Sequence, residues 1–442
     1  MIHRDTLIFR TFCFIFWLAS CISFIGEELI PPLDAYERYA YLLTDPLTVV
    51  LGLVCIKGRK EWALLGSLLL LGLVSMIVNR NSFLVTINGL REFLSMLFFF
   101  PIVRHVLTCS HSEQFRGSLV KQLKVFLWLQ AFCVTEQFIR YGANDHGGGT
   151  LGYGGSGDIS MSIILLSFYF VTRNWDNEHY LLSIKKNALY LFLLFPVLLN
   201  ETKASFVLLA IYLILLYKPD IRSVGKMLMA FPAVLLLFIG LFFAYIYATG
   251  QDASEITTKS YAEKYLVGQD PEDLYDQAMM IRDGYVDIED MDFSDLPRFM
   301  KVVYLPVALD EARGGLLLGA GLGQFKGRTF IDITRFAKDN FWMVRGTVFM
   351  LIHLVIELGI LGLIWFFFQI YYIVGYRHRY GRMAIQVKLF MFASAALILV
   401  YNGAFRFVTY TFIFCSIAAL TTFPPKSEAE EEVDNGRKKI GE

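Results

Sequence analysis

The residues of this chain that could do chemistry gather in its second half. Lys203 follows the polar step Asn200-Glu201-Thr202. Eight further cations fall between residues 296 and 345, namely Arg298, Lys301, Arg313, Lys326, Arg328, Arg335, Lys338 and Arg345. Arg offers a planar fork that meets phosphate oxygens in pairs, and each charge-assisted hydrogen bond of this kind is worth about 1.5–3 kcal/mol. Such a set fits a phosphate-bearing ligand, although long loops also tolerate charge with no ligand at all. Proton acceptors are fewer. His353 titrates near neutrality and so suits a general base, yet a lone helical histidine more often has a structural place. Glu201, Asp158, Asp310 and Glu311 are carboxylates that could take the same role. No paired-carboxylate spacing, metal-ligand cluster or nucleophile elbow separates them, so no metal centre is expected.

Two glycine-rich stretches accompany these groups. Gly319-Ala320-Gly321-Leu322-Gly323-Gln324-Phe325 follows an apolar run, Leu316–Leu318. It lacks the strand–helix context of a dinucleotide fingerprint and has no third glycine at the required spacing. It reads instead as a tight turn, either a simple re-entry turn or one whose N–H groups face an anion. Residues 142–157 hold eight glycines in sixteen positions and read as a flexible loop or linker.

The elements that must position these residues are membrane helices. Of the 442 residues, 56% are hydrophobic and 18% charged, against about 45–50% and 25% in soluble domains. Forty basic residues balance forty acidic ones, which excludes a polybasic nucleic-acid binder and an acidic disordered chain. A crossing needs about 20 apolar residues, and twelve runs approach that length: 7–26, 41–56, 61–78, 86–108, 120–140, 158–172, 187–201, 203–217, 227–249, 346–374, 385–402 and 406–423. Reading residues 200–203 as a tight turn, with both termini cytoplasmic, leaves seventeen Lys or Arg in the five inner loops and five in the short outer connections. That is the bias of an inside-positive protein. The predicted organisation is all-α: helices one to nine over 1–249, a large outer loop over 250–345, helices ten to twelve over 346–423, and a polar, disordered cytoplasmic tail over 424–442. The outer loop divides by charge, with thirteen acidic and three basic residues over 250–295, then four and eight over 296–345. The six cysteines (Cys13, Cys21, Cys55, Cys109, Cys133, Cys415) sit in or beside apolar runs, with no C-x-x-C pair and no sign of a disulfide framework.

Three features occur here in the order they take in the O-antigen polymerase and O-antigen ligase family. They are the step Glu201-Thr202-Lys203-Ala204-Ser205, the element Gly319–Phe325 closing a large outer loop, and Glu357-Leu358-Gly359-Ile360-Leu361-Gly362 in the next span. With the twelve-span layout the chain resembles that family over nearly its whole length. The resemblance implies a GT-C-like fold in a bacterial inner membrane and metal-independent, inverting glycosyl transfer at the outer leaflet. The donor would be an oligosaccharide on a polyprenyl diphosphate, and the acceptor a sugar hydroxyl on another lipid-linked unit or on lipid A-core. The energy already lies in the diphosphate bond, so no cofactor is implied. Lys203 matches the family's basic residue after Ser/Thr, and Arg298 the Arg about twenty residues ahead of the glycine element. Arg328 or Arg345 would join them on the diphosphate, with Gly319, Gly321 and Gly323 forming the turn, and His353 or Glu201 as candidate base. Ligases carry a His-Asn pair shortly before the Glu-x-Gly, where this chain has Thr347-Val348-Phe349. That departure favours a polymerase, acting with membrane lipid and a chain-length regulator protein, over a ligase. A lipid-linked oligosaccharide flippase and a scaffold for the polysaccharide machinery are the rival readings from other classes.

Overall fold

The computed structural model describes residues 2–30, 37–142, 147–176, 179–200, 203–217, 298–310, 312–325, 334–340, 343, 349–376 and 382–423. Among them the structure is helical, with no strand. The main helices are α1 (Ile2–Phe24), α2 (Glu37–Cys55), α3 (Arg59–Asn79), α4 (Phe83–Leu90), α5 (Leu94–Thr108), α6 (Ser112–Tyr141), α7 (Ser156–Arg173), α8 (Tyr180–Phe192), α9 (Phe195–Leu199), α10 (Lys203–Tyr217), α11 (Met350–Gly375), α12 (Arg382–Tyr401) and α13 (Val408–Thr422). Five helical stretches are long and apolar enough to cross a bilayer: Arg4–Leu29, Arg59–Asn79, Phe83–Thr108, Met350–Gly375 and Met383–Tyr401. The expected span over 227–249, the acidic segment 250–295 and the tail 424–442 lie outside the described residues.

In a bilayer there is little hydrophobic gain in bringing two apolar helices together, so dispersion and interhelical hydrogen bonds must hold the bundle. Both are present. Phe412 of α13 stacks on Phe12 and Phe16 of α1, at centroid distances of 4.5 and 4.0 Å. Phe168 of α7 stacks on Phe390 of α12 at 4.0 Å. Buried hydroxyls pair across helices, Ser20 with Thr409 at 2.8 Å and Ser394 with Tyr410 at 2.8 Å. Outward faces stay apolar, as Leu70, Phe132 and Phe368 illustrate.

The helices run back and forth between two ends, here called near (where α1 begins) and far. Near-end contacts include His105 with Asp5 and the Arg116 guanidinium with the Phe423 carbonyl. At the far end, Tyr153 N donates to Glu27 at 2.7 Å and Met350 N to the Asn402 carbonyl at 2.9 Å. Arg80, Arg140, the start of α10 at Lys203, the glycine turn and Arg406 all fall at this one end.

The stretch read as a flexible linker is built differently where it is described. Residues 147–155 fold onto α6. Gln137 accepts from Gly149 N at 2.7 Å and donates to its carbonyl at 3.0 Å, while Gln130 accepts from Thr150 N at 2.9 Å. Gln130 lies three turns inside α6, so the backbone dips into the bundle, and the two amides satisfy polar groups that lipid could not.

Candidate functional site

The site begins with backbone. Gly319, Gly321 and Gly323 have φ of +67°, +109° and +80°, a region open to glycine and strained for residues with a Cβ. Space is equally restrictive. A Cβ on Gly323 would stand 2.1 Å from the Val85 carbonyl oxygen, and one on Gly319 would stand 2.5 Å from that of Ile356. Helix α11 meets this turn at a break of its own. Gly359 has φ +67°, and its Cβ position lies 2.1 Å from the Leu317 carbonyl oxygen. The Glu-x-Gly motif and the glycine element are thus packed main chain against main chain.

Side chains from the end of α3 complete the clamp. Ser75 Oγ donates to the Leu318 carbonyl at 3.0 Å, Asn79 Nδ2 to that of Gly319 at 3.0 Å, and Asn81 Nδ2 to that of Ala320 at 2.8 Å. From the other side, Gly323 N donates to Glu357 Oε1 at 3.1 Å, and Ala320 N to the Ile356 carbonyl at 2.7 Å. The turn does present an N–H to a side-chain carboxyl, and that carboxyl is the chain's own Glu357.

Glu357 is one member of a buried ionic cluster. His353, one turn earlier on α11, brings Nε2 to 3.2 Å from Glu92 Oε2 and 3.8 Å from Glu357 Oε2. Arg406, in the 3-10 turn Ala404–Arg406 between α12 and α13, places Nε 2.8 Å from Glu92 Oε2. Glu92 itself sits in the 3-10 turn Arg91–Phe93 that interrupts α4 and α5. Asp158, in the first turn of α7, lies within electrostatic reach of Arg406. Three carboxylates therefore share one guanidinium and one imidazole. The His353 ring is wholly buried, stacked on Phe93 at 5.8 Å and met edge-on by Phe325 at 5.4 Å.

Of the residues singled out in the sequence, His353, Asp158, Glu357 of the Glu-x-Gly motif, Gly319, Gly321 and Gly323 come together here. Lys203 opens α10 at the same end, beyond Asn200, whose amide donates to Ser160 Oγ at 2.9 Å. Arg298 opens the short helix Arg298–Val303. The side chains of Lys203 and Arg298 lie outside the described residues, as do Glu201, Arg328 and Arg345 altogether. Sequence reasoning gave Glu92, with Arg91, a neighbouring-charge or structural role within the fourth span, and it did not select Arg406, Ser75, Asn79 or Asn81. A carboxylate within an apolar run was the available signal for Glu92, because lipid makes such a charge expensive unless it is paired. Arg406 was visible only as a connecting-loop charge.

In sequence comparison the chain matches no family model and no curated protein.

Proposed function

We propose that this chain is a bacterial polysaccharide repeat-unit polymerase, a twelve-span GT-C-like protein with one large outer loop. It transfers a glycan from a polyprenyl diphosphate to a sugar hydroxyl at the outer leaflet of the inner membrane. The observation that carries this reading is the joining of motifs far apart in the chain. The glycine element hydrogen-bonds the Glu of Glu-x-Gly, with Gly323 N donating to Glu357 Oε1, and the Lys203 step begins at the same end of the bundle. Order in sequence is what the resemblance rested on, and common location is what a shared site requires. Lys203 and Arg298, with Arg328 or Arg345, hold the donor diphosphate and stabilise the charge that develops as it leaves. The transfer is metal-independent and inverting, and binding energy goes into orienting acceptor and donor.

Deleting the gene in its host tests the reading. A single repeat unit on the cell surface or lipid core is the expected phenotype. Long polymer retained on the carrier lipid would instead identify a ligase, and accumulation of the lipid-linked unit on the cytoplasmic side a flippase. In the complemented strain, Lys203→Ala and Arg298→Ala should each abolish polymer and leave single units. Normal-length polymer from both variants would overturn the assignment.

A further inference from the structure

Buried polar atoms nearly always find hydrogen-bond partners, so those that do not need a reason. Three such atoms belong to helices that pack on one another at the far end. Asp158 Oδ1 in the first turn of α7, Ser205 Oγ in the first turn of α10 and Asn402 Nδ2 just after α12 have no hydrogen-bond partner among the described residues. Their residues are 6%, 1% and 7% exposed. Helices α7, α10 and α12 contact each other pairwise, and the turn carrying Arg406 contacts α7.

Position along α7 sharpens the grouping. Ser156 and Ser160, one turn apart, face Asn200, which donates to the Ser156 carbonyl at 3.4 Å and to Ser160 Oγ at 2.9 Å. Asp158 stands two residues from each, about 200° around the helix, so it points away from Asn200. That direction carries Arg406 and Tyr410, both within electrostatic reach. Asn402 is fixed by its other groups, its carbonyl taking Met350 N at 2.9 Å and its Oδ1 taking Ala404 N at 3.3 Å, which leaves the amide N–H₂ to point elsewhere.

The three groups differ in hydrogen-bond character. The carboxylate only accepts, the amide nitrogen only donates, and the hydroxyl does both. Adjacent sugar hydroxyls ask for that mixture. We propose that Asp158, Ser205 and Asn402 form the acceptor-sugar site, with Asp158 as the proton acceptor of the transfer. This inference rests on the polymerase reading. In the reaction, the acceptor oxygen forms a bond to the donor's anomeric carbon as the bond from that carbon to the diphosphate oxygen breaks. The bonding pair leaves with the polyprenyl diphosphate, and the acceptor's proton moves to Asp158 Oδ1 and then to water. Asp158 suits the role better than His353, whose ring is enclosed by Phe93, Phe325 and Glu92.

The test uses full-length Asp158→Asn, Ser205→Ala and Asn402→Ala in a strain lacking the chromosomal gene. Polymer yield is read beside the melting temperature of each purified protein, and beside its stabilisation by farnesyl diphosphate as a probe of the donor site. Asp158→Asn should lower polymer formation about 100-fold or more. Ser205→Ala and Asn402→Ala should lower it several-fold. All three should keep the wild-type response to farnesyl diphosphate. Asp158→Asn and Ser205→Ala should also keep wild-type melting temperatures, because Asp158 Oδ1 and Ser205 Oγ make no hydrogen bond among the described residues, whereas Asn402→Ala gives up the bond from Ala404 N and should melt slightly lower. Normal polymer from Asp158→Asn would overturn the inference while leaving the polymerase reading intact. Loss of polymer accompanied by a fall in melting temperature in all three variants would overturn it in favour of a structural role. Unchanged polymer on deletion of the whole gene would instead sink the polymerase reading itself.

Discussion

Two buried ionic clusters lie at opposite ends of the bundle, and they are built on different terms. At the near end, Glu61 in the first turn of α3 accepts from Lys57 N at 3.0 Å, Gly58 N at 2.9 Å and Arg104 NH2 at 3.1 Å, and also from the Tyr372 hydroxyl. Arg104 spends its remaining reach on the Cys55 carbonyl at 3.3 Å. One anion meets one cation, and the surrounding donors saturate the carboxylate. At the far end three carboxylates share Arg406 and His353, while Asp158 Oδ1 and Glu357 Oε2 have no hydrogen-bond partner among the described residues. The near cluster is a closed fastening between α2, α3, α5 and α11. The far cluster is an open one, with polar atoms left over inside a bundle where such groups are expensive.

Breaking the near fastening should have the largest effect on stability. Arg104→Leu leaves Glu61 charged and buried without its guanidinium, and a severed pair of this kind costs about 3–5 kcal/mol. The measurement is denaturant or thermal unfolding of detergent-purified protein. A loss below 1 kcal/mol would mean that the two clusters do not differ as described. Gly323→Ala comes next. The φ of +80° and the 2.1 Å approach to the Val85 oxygen leave no room for a methyl. Strain of about 1–3 kcal/mol should follow, and on the polymerase proposal loss of polymer with it, since the turn and Glu357 would separate. Glu357→Gln should be smallest, about 0.5–1.5 kcal/mol in the same unfolding assay, because the amide oxygen can still accept from Gly323 N. If Glu357→Gln cost as much as Arg104→Leu, the far cluster would be as structural as the near one.

Much of this architecture was legible in the residues. Apolar runs located the helices because lipid leaves a crossing segment few alternatives to intramolecular hydrogen bonding. Glycines at alternate positions 319, 321 and 323 announced a turn, and the turn is there. What composition misjudged was context. Eight glycines over 142–157 read as a linker, since nothing local shows that Gln130 and Gln137, on a helix already complete, would accept the loop inside the bundle. Arg406 counted as one loop charge among five. Its meaning depends on Glu92, 314 residues away, and no local pattern reports a contact of that separation. His353 was recognisable as unusual, but its enclosure by two phenyl rings and a carboxylate is a property of the assembled helices.

The clamp on the glycine turn also sets a clock for biosynthesis. Ser75, Asn79 and Asn81 enter the membrane with the third helix, whereas the carbonyls they bind belong to residues 243, 240 and 239 positions later. At ribosomal rates of roughly 5–20 residues per second, that interval lasts about 10–50 s. Throughout it, Asn79 can hold on to the Ser75 carbonyl and hydroxyl at 3.0 and 3.1 Å, and the rest of the polar groups at the tip of α3 must be met by interfacial water or by a holding partner at the insertion site. Vectorial synthesis thus leaves the far end of the bundle unfinished until the last quarter of the chain emerges, and the half-made protein waits with its glycine seat open.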